Sequence, residues 1–251
     1  MLNKIYRRWY LIAFFSMHSL LVMGQQPADR ALAEIKHTLD VYKNAGRLSY
    51  LMHYTYANES SPLNILDSVS GQVEINGTNY RYVLDSTETI SNERYSIMLF
   101  KKDRMMYLAK PEKKQNSLNT LGILDSAILS IPGLQCSIAI HNTQRVITLV
   151  YPAKMQYRQV QFTTDTVTGF IQDVRCIVKT DQLVDPQVSK AAQSNGYDEY
   201  AVVDVTLYGY SKAAPDAAAF DEHRFFSKVG KEYVTTEAYK DYKIFLGTPN
   251  L

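Results

Sequence analysis

The chain has 251 residues, 46% of them hydrophobic, with 27 Lys and Arg against 25 Asp and Glu. That is enough apolar material for one domain with a large core. A charge balance so close to neutral excludes recognition of nucleic acid, or of an anionic membrane surface, by bulk electrostatics.

The first segment sets the expected compartment. Lys4, Arg7 and Arg8 form a positive start without an acidic residue, and Leu11 to Met23 are apolar except for Ser16, His18 and Ser19. Gly24 ends the run, which is the layout of a secretory signal peptide. The run is too short for a spanning helix, which needs roughly 20 residues. The sequence therefore predicts a signal peptide over 1–24, a single domain over 25–251, and a periplasmic or secreted address without stable membrane insertion after cleavage. Removing three basic residues leaves 24 Lys and Arg against 25 Asp and Glu, so the slight basicity belongs to the signal. Trp9, the only tryptophan, goes with it, whereas 17 of the 19 tyrosines remain.

Residues 28–45 read as a helix. Leu32, Ile35, Leu39 and Tyr42 share one face, and Gly46 is a natural cap. Strands then dominate. Leu48–Tyr56 alternates, with Leu48, Tyr50, Met52, Tyr54 and Tyr56 on one side. Runs over 67–76 and 78–85 meet at Asn76-Gly77, a hairpin dipeptide. Runs over 94–100 and 105–110 flank Lys101-Lys102-Asp103-Arg104, a second hairpin. Ser117 caps a predicted helix to Ile131, stopped by Pro132-Gly133. Strands resume at 134–141, 145–151, 156–163, 170–179 and 199–210. The C-terminal part reads as a turn at 215–220, short strands at 224–229 and 232–235, and a last strand over 239–246. Helices do not alternate with strands, so βαβ units are excluded. The predicted class is α+β and mainly antiparallel: a curled, incomplete barrel of about nine or ten strands with two helices on its concave face.

Cys136 and Cys176 lie in apolar runs with two further strands between them, which in a simple meander sets them about 14 Å apart. A bridge and two separate thiols both remain open at this point.

The order of elements resembles a known group. An N-terminal helix, a strand ending in tyrosines (Leu48-Ser-Tyr-Leu-Met-His-Tyr-Thr-Tyr56), the hairpin Gly71-Gln-Val-Glu-Ile-Asn-Gly-Thr-Asn-Tyr-Arg-Tyr82 and the late Asp241-Tyr242-Lys243-Ile244 are similar to the LolA/LolB-like lipoprotein carriers of the Gram-negative periplasm. The resemblance implies a half-barrel lidded by helices over an apolar cavity for acyl chains. The family's lid arginine and its C-terminal loop find no counterpart here, so the resemblance supports an apolar cavity more than lipoprotein transport itself.

No Gly-x-Ser-x-Gly elbow, phosphate-cradling glycine loop or His-Glu-x-x-His motif is present. Catalytic residues, metal ligands and cofactors are not expected. Asp221-Glu222-His223 is the one dense cluster suited to proton transfer, and its aromatic flanks fit an ordinary turn better. The positive hint is apolar: Tyr50, Met52 and Tyr54 of one strand, with Met98, Phe100, Met106 and Leu108 of a hairpin, are the expected lining of an apolar cleft. The leading expectation is a non-enzymatic carrier of a lipid or lipoprotein acyl moiety. The alternative is an envelope-assembly module with a solid core and a protein partner.

Overall fold

The computed structural model describes residues 27–111, 131–183, 196–248 and 251. Helix α1 (Pro27–Asn44) precedes β1 (Arg47–Asn58), β2 (Ile65–Asn76), β3 (Asn79–Leu84), β4 (Thr87–Ser91), β5 (Ser96–Phe100) and β6 (Met105–Ala109). Then come β7 (Gln135–His141), β8 (Gln144–Val150), β9 (Tyr157–Asp165), β10 (Ile171–Lys179) and β11 (Tyr200–Ser211). The C-terminal segment holds β12 (Phe226–Val229), β13 (Glu232–Thr235) and β14 (Lys243–Leu246), with single-turn 3-10 helices at Ala217–Phe220, Glu222–Arg224 and Glu237–Tyr239.

Twelve strands form one open sheet in the order β14-β6-β5-β4-β3-β2-β1-β11-β10-β9-β8-β7, and β12 and β13 pair separately. The sheet is not a closed barrel, and its form is consistent with a curled half-barrel. All its ladders are antiparallel except β14 on β6, which is parallel. The expected nine or ten strands are thus fourteen among the described residues. Thr-Glu-Thr-Ile-Ser of β4 has too few apolar residues to announce a strand, yet it pairs on both sides. The last strand is shorter than 239–246 because Glu237–Tyr239 is helical. The second predicted helix lies outside the described residues, apart from its final position, Ile131.

The hairpin between β2 and β3 forms at a different dipeptide from the one predicted. Asn76 stands opposite Asn79, so the loop is Gly77-Thr78. Gly77, with φ +63°, occupies the first central position, where a type II′ turn requires a positive φ.

Register decides which side chains share a face. Tyr50 stands opposite Val73, Val73 opposite Tyr82, Tyr82 opposite Thr89, Thr89 opposite Met98, and Met98 opposite Tyr107. This row belongs to one face of the sheet. Leu48, Tyr50, Met52, Val205, Leu207, Val174, Phe162, Ile147 and Leu149 of the same face pack with Ala31, Ile35 and Tyr42 of α1 in the larger core. On α1 the most buried stripe is Ala31, Ile35, Thr38 and Tyr42, rotated slightly from the predicted one. Beneath the helix a small cavity of about 10 Å³ lies between Ile35, Thr38, Ile147 and Ile171.

Ile97, Leu99, Met106 and Leu108 stand one position out of phase with that row, so they point to the other face. There they form a second core with Ile90, Phe220, Phe225 and Phe226. One sheet therefore carries two cores on opposite sides: α1 covers one face at the β7–β10 side, and the C-terminal segment covers the other at the β4–β6 side.

Gly71 is fixed by close approach. A Cβ there would meet the Val83 carbonyl oxygen at 2.7 Å and the Met52 side chain at 3.1 Å. Gly71→Ala is expected to destabilise the fold by about 1–3 kcal/mol, as overpacking does, seen as a lower urea midpoint at unchanged m-value.

Candidate functional site

Of the side chains read from the sequence as a cleft lining, Tyr50 and Met52 are buried under α1, at 1% and 0% exposure. Met106 and Leu108 are equally buried, but in the second core on the opposite face. Met98 and Phe100 lie on the helix face beyond the reach of α1, in rows with Tyr107 and Met105. Tyr54 is half-buried on that face, near Tyr82 of β3. Burial, and secondarily Tyr82, pushes the Tyr54 phenol well above its ordinary range. The seven residues therefore do not converge on one lining. Of the seven, Tyr54 borders the following cavity.

That cavity is a cleft of about 270 Å³ bounded by Tyr54, Tyr56, Leu66, Val69, Leu183, Tyr197 and Val203, with Asp67 and Ser68 at its edge. Its position follows from the chain. α1 reaches the end of the sheet that holds Ile171 and Tyr210, where the Tyr42 hydroxyl accepts from Ile171 N–H at 3.1 Å. The cleft opens toward the other end, where β1 runs out at Asn58 and β11 begins at Tyr200. Tyr54, Val69 and Val203 come from β1, β2 and β11 because Tyr54 stands opposite Val69 and Tyr56 opposite Val203. Leu66 and Leu183 remain 43% exposed, which makes the mouth apolar.

The Tyr197 wall is held by a polar clasp. Asn58 Nδ2 donates to the Gly196 carbonyl at 2.8 Å, and Asp198 N–H donates to Asn58 Oδ1 at 3.0 Å. Ser60 N–H donates to Asp198 Oδ2 at 2.8 Å, and the Thr180 hydroxyl donates to the Asp198 carbonyl at 2.7 Å. The bonds from Ser60 hold the Asp198 carboxyl below the usual carboxylate range. Tyr197 and Tyr56 face each other with centroids 6.2 Å apart. The alternation of β1 identifies Tyr54 and Tyr56. Tyr197 and Leu183 sit beside polar loop sequence, and nothing in their spacing marks them as lining.

The remaining chemistry is structural. Asp221 accepts from His223 N–H at 2.9 Å as a turn cap. Glu222, 7% exposed, is bound by Arg94 at 2.6 Å and by Asn92 Nδ2 at 2.7 Å. No group of three His, Cys, Asp or Glu side chains suited to a metal occurs among the described residues. Cys136 and Cys176 are free thiols. They occupy one row, Cys136–Leu149–Val160–Cys176, with β8 and β9 between them, and that spacing of about 14 Å forbids a bond. Burial pushes the Cys176 thiol up to about 12, so it stays protonated and inert. No described helix is long and apolar enough to cross a membrane.

No protein-family profile and no curated protein matches the chain. Solved structures do. An uncharacterized conserved protein from Thermus thermophilus aligns over 84% of this chain and 98% of its own, at 8% identity and a TM-score of 0.44. Lipoprotein LppX of Mycobacterium tuberculosis aligns over 74% of this chain and 98% of its own, at 13% identity and 0.40. A LolA superfamily protein from Nitrosomonas europaea aligns over 75% and 98%, at 7% identity and 0.34. All three likenesses are remote.

Proposed function

We propose that this protein is a non-enzymatic carrier or binding protein of the cell envelope that takes one acyl chain of a lipid or lipoprotein into the cleft at the end of β1. One observation carries this reading: an open cleft on the helix face, walled by Tyr54, Tyr56, Val69, Tyr197 and Val203 and rimmed by half-exposed Leu66 and Leu183. Its 270 Å³ is near the lower bound of small-molecule pockets, roughly 300 Å³. It suits a single chain better than a whole lipid. Met98 and Phe100 extend the same face and would receive a longer ligand.

Native mass spectrometry of protein purified without detergent, together with titration of a fluorescent acyl probe, tests the proposal. A bound lipid or saturable probe uptake is expected, and Val203→Trp or Val69→Trp should weaken uptake at least about tenfold by filling the cleft. Tyr208→Ala, exposed on the other face, should leave uptake unchanged. Neither lipid nor probe binding would end the carrier reading.

The interaction-module reading is favoured by a separate observation. Met98, Tyr107 and Phe245 are 38%, 38% and 40% exposed, and Tyr107 and Phe245 stack at 5.1 Å. An envelope protein retained in stoichiometric amount, and released by Tyr107→Asp, would support it.

A further inference from the structure

The cleft at the end of β1 has one charged group in its lining, and that group is a carboxylate. Asp67 stands opposite Tyr56 in the β1–β2 ladder, so the two share the helix face. Among the described residues the lining holds no Lys, Arg or His. Asp67 is exposed, and its Oδ1 accepts from the Ser68 N–H at 2.8 Å, a bond that occupies only one of its two oxygens. Cations do occur at this end of the sheet, but on the other face. Val203 and Cys176 stand opposite each other on the helix face, and Tyr200 and Lys179 do so three residues away, so alternation turns the second pair to the far side. Arg158 lies over the Tyr200 ring at 4.0 Å and is paired with Glu59. Three tyrosines, Tyr54, Tyr56 and Tyr197, complete this part of the lining. The negative face of an aromatic ring attracts a cation within about 6 Å of its centroid. Tyr56 and Tyr197, with centroids 6.2 Å apart and planes inclined at 55°, are close enough to act on one cation together. Tyr54 lies two residues further in along β1, opposite Val69.

We propose that the ligand of this cleft is a cationic amphiphile. Its chain lies against Tyr54, Val69 and Val203, and an ammonium group at its polar end sits between Asp67 and the Tyr56–Tyr197 pair. The inference rests on the carrier reading and narrows its substrate class. Two terms act in the same direction on the polar end: the charge of Asp67, and the ring faces of the tyrosines. A free fatty acid, or a phosphate joined directly to the chain, would meet that carboxylate with no basic residue in the described lining to offset it. A neutral ester end gains neither term and suffers no repulsion.

Four ligands that share a dodecanoyl chain test this, titrated below their micelle concentrations, near neutral pH and at low salt, against the fluorescent acyl probe. Dodecanoylcholine carries a quaternary ammonium, N-(2-aminoethyl)dodecanamide a primary one, monododecanoylglycerol is neutral and dodecanoate anionic. Both cations are expected to bind at least about tenfold more tightly than dodecanoate, with the neutral ester between them. Asp67→Asn keeps the oxygen that accepts from Ser68, so it should fold as wild type does. It should erase most of the difference while leaving affinity for the neutral ester within about twofold. Tyr197→Leu keeps an apolar wall and should cut the advantage of the quaternary head more than that of the primary one. Equal affinity for all four, tighter binding of dodecanoate, or a cation preference indifferent to Asp67→Asn overturns the proposal and leaves the carrier reading standing. Binding of none of them overturns both.

Discussion

Arg81→Met will lower the stability of the fold by about 2–3 kcal/mol, measured from urea midpoints at neutral pH. Arg81 holds two carboxylates at once: its Nη1 donates to Glu74 Oε2 at 2.8 Å and its Nε to Glu88 Oε1 at 2.7 Å. Lys101 Nζ binds the second oxygen of Glu88 at 2.8 Å. Glu88 is only 4% exposed, on the sheet face covered by the C-terminal segment. Taking away the guanidinium strands Glu88 with one partner, and a charge buried without adequate partners is the costly part of a broken ion pair. The loss stays below the 3–5 kcal/mol typical of fully buried pairs because the Lys101 side chain, 41% exposed, persists.

The same cluster sets a pH dependence. Burial pushes the Glu88 carboxyl up, but its bonds to Lys101 and Arg81 outweigh that and hold it below its ordinary value of 4.5. A depressed carboxyl contributes stability that is fully present above its unfolded value and lost as pH falls through its folded value. Glu88→Gln should therefore be less stable than wild type at neutral pH, and the gap should close below about pH 4. A gap independent of pH would mean that Glu88 acts by packing alone. Replacing Glu74, Arg81 and Glu88 together with apolar residues of similar volume should recover most of the stability lost by Arg81→Met.

The elements with a clear period were legible in the sequence. The stripe Leu32, Ile35, Leu39, Tyr42 placed α1 within a residue at each end, and the alternation from Leu48 placed β1. β4 was not legible, because its strand character comes from pairing with β3 and β5 and not from its own residues. The faces of the β5–β6 hairpin depend on register. Each strand shows its own alternation, but matching the two needs the loop length. Four residues separate Phe100 from Met105, which stand opposite each other, so Phe100 shares a face with Met105 and not with Met106. That one-residue phase sends Met106 and Leu108 into the second core and leaves Met98 and Phe100 on the helix face. The parallel seating of β14 was hidden for a related reason: it comes from the C-terminal segment crossing the sheet's other face, a long-range event without a local signal.

The largest single loss should come from Tyr42→Ala, about 3–5 kcal/mol, because Tyr42 joins α1 to the sheet through both its ring and its hydroxyl. The ring is 2% exposed and packs edge-on against Tyr50 at 6.1 Å and Phe170 at 5.5 Å. The hydroxyl closes a hydrogen-bonded circuit. Ile171 N–H donates to Tyr42 at 3.1 Å, and Tyr210 donates its only proton to the Ile171 carbonyl at 2.6 Å. The 2.6 Å bond between the two phenols must then run from Tyr42 to Tyr210. Burial pushes the Tyr42 phenol up to about 12 against the pull of both partners, so the circuit is intact across the working pH range. Tyr42→Phe keeps the ring and opens the circuit, leaving a buried N–H without a partner, for about 1–3 kcal/mol. Tyr50 supplies the control. It is as buried as Tyr42, but its hydroxyl has no hydrogen-bond partner among the described residues, so Tyr50→Phe should be neutral or slightly stabilising. Equal losses from the two Tyr→Phe changes would mean that the circuit contributes nothing and that ring packing alone seats the helix.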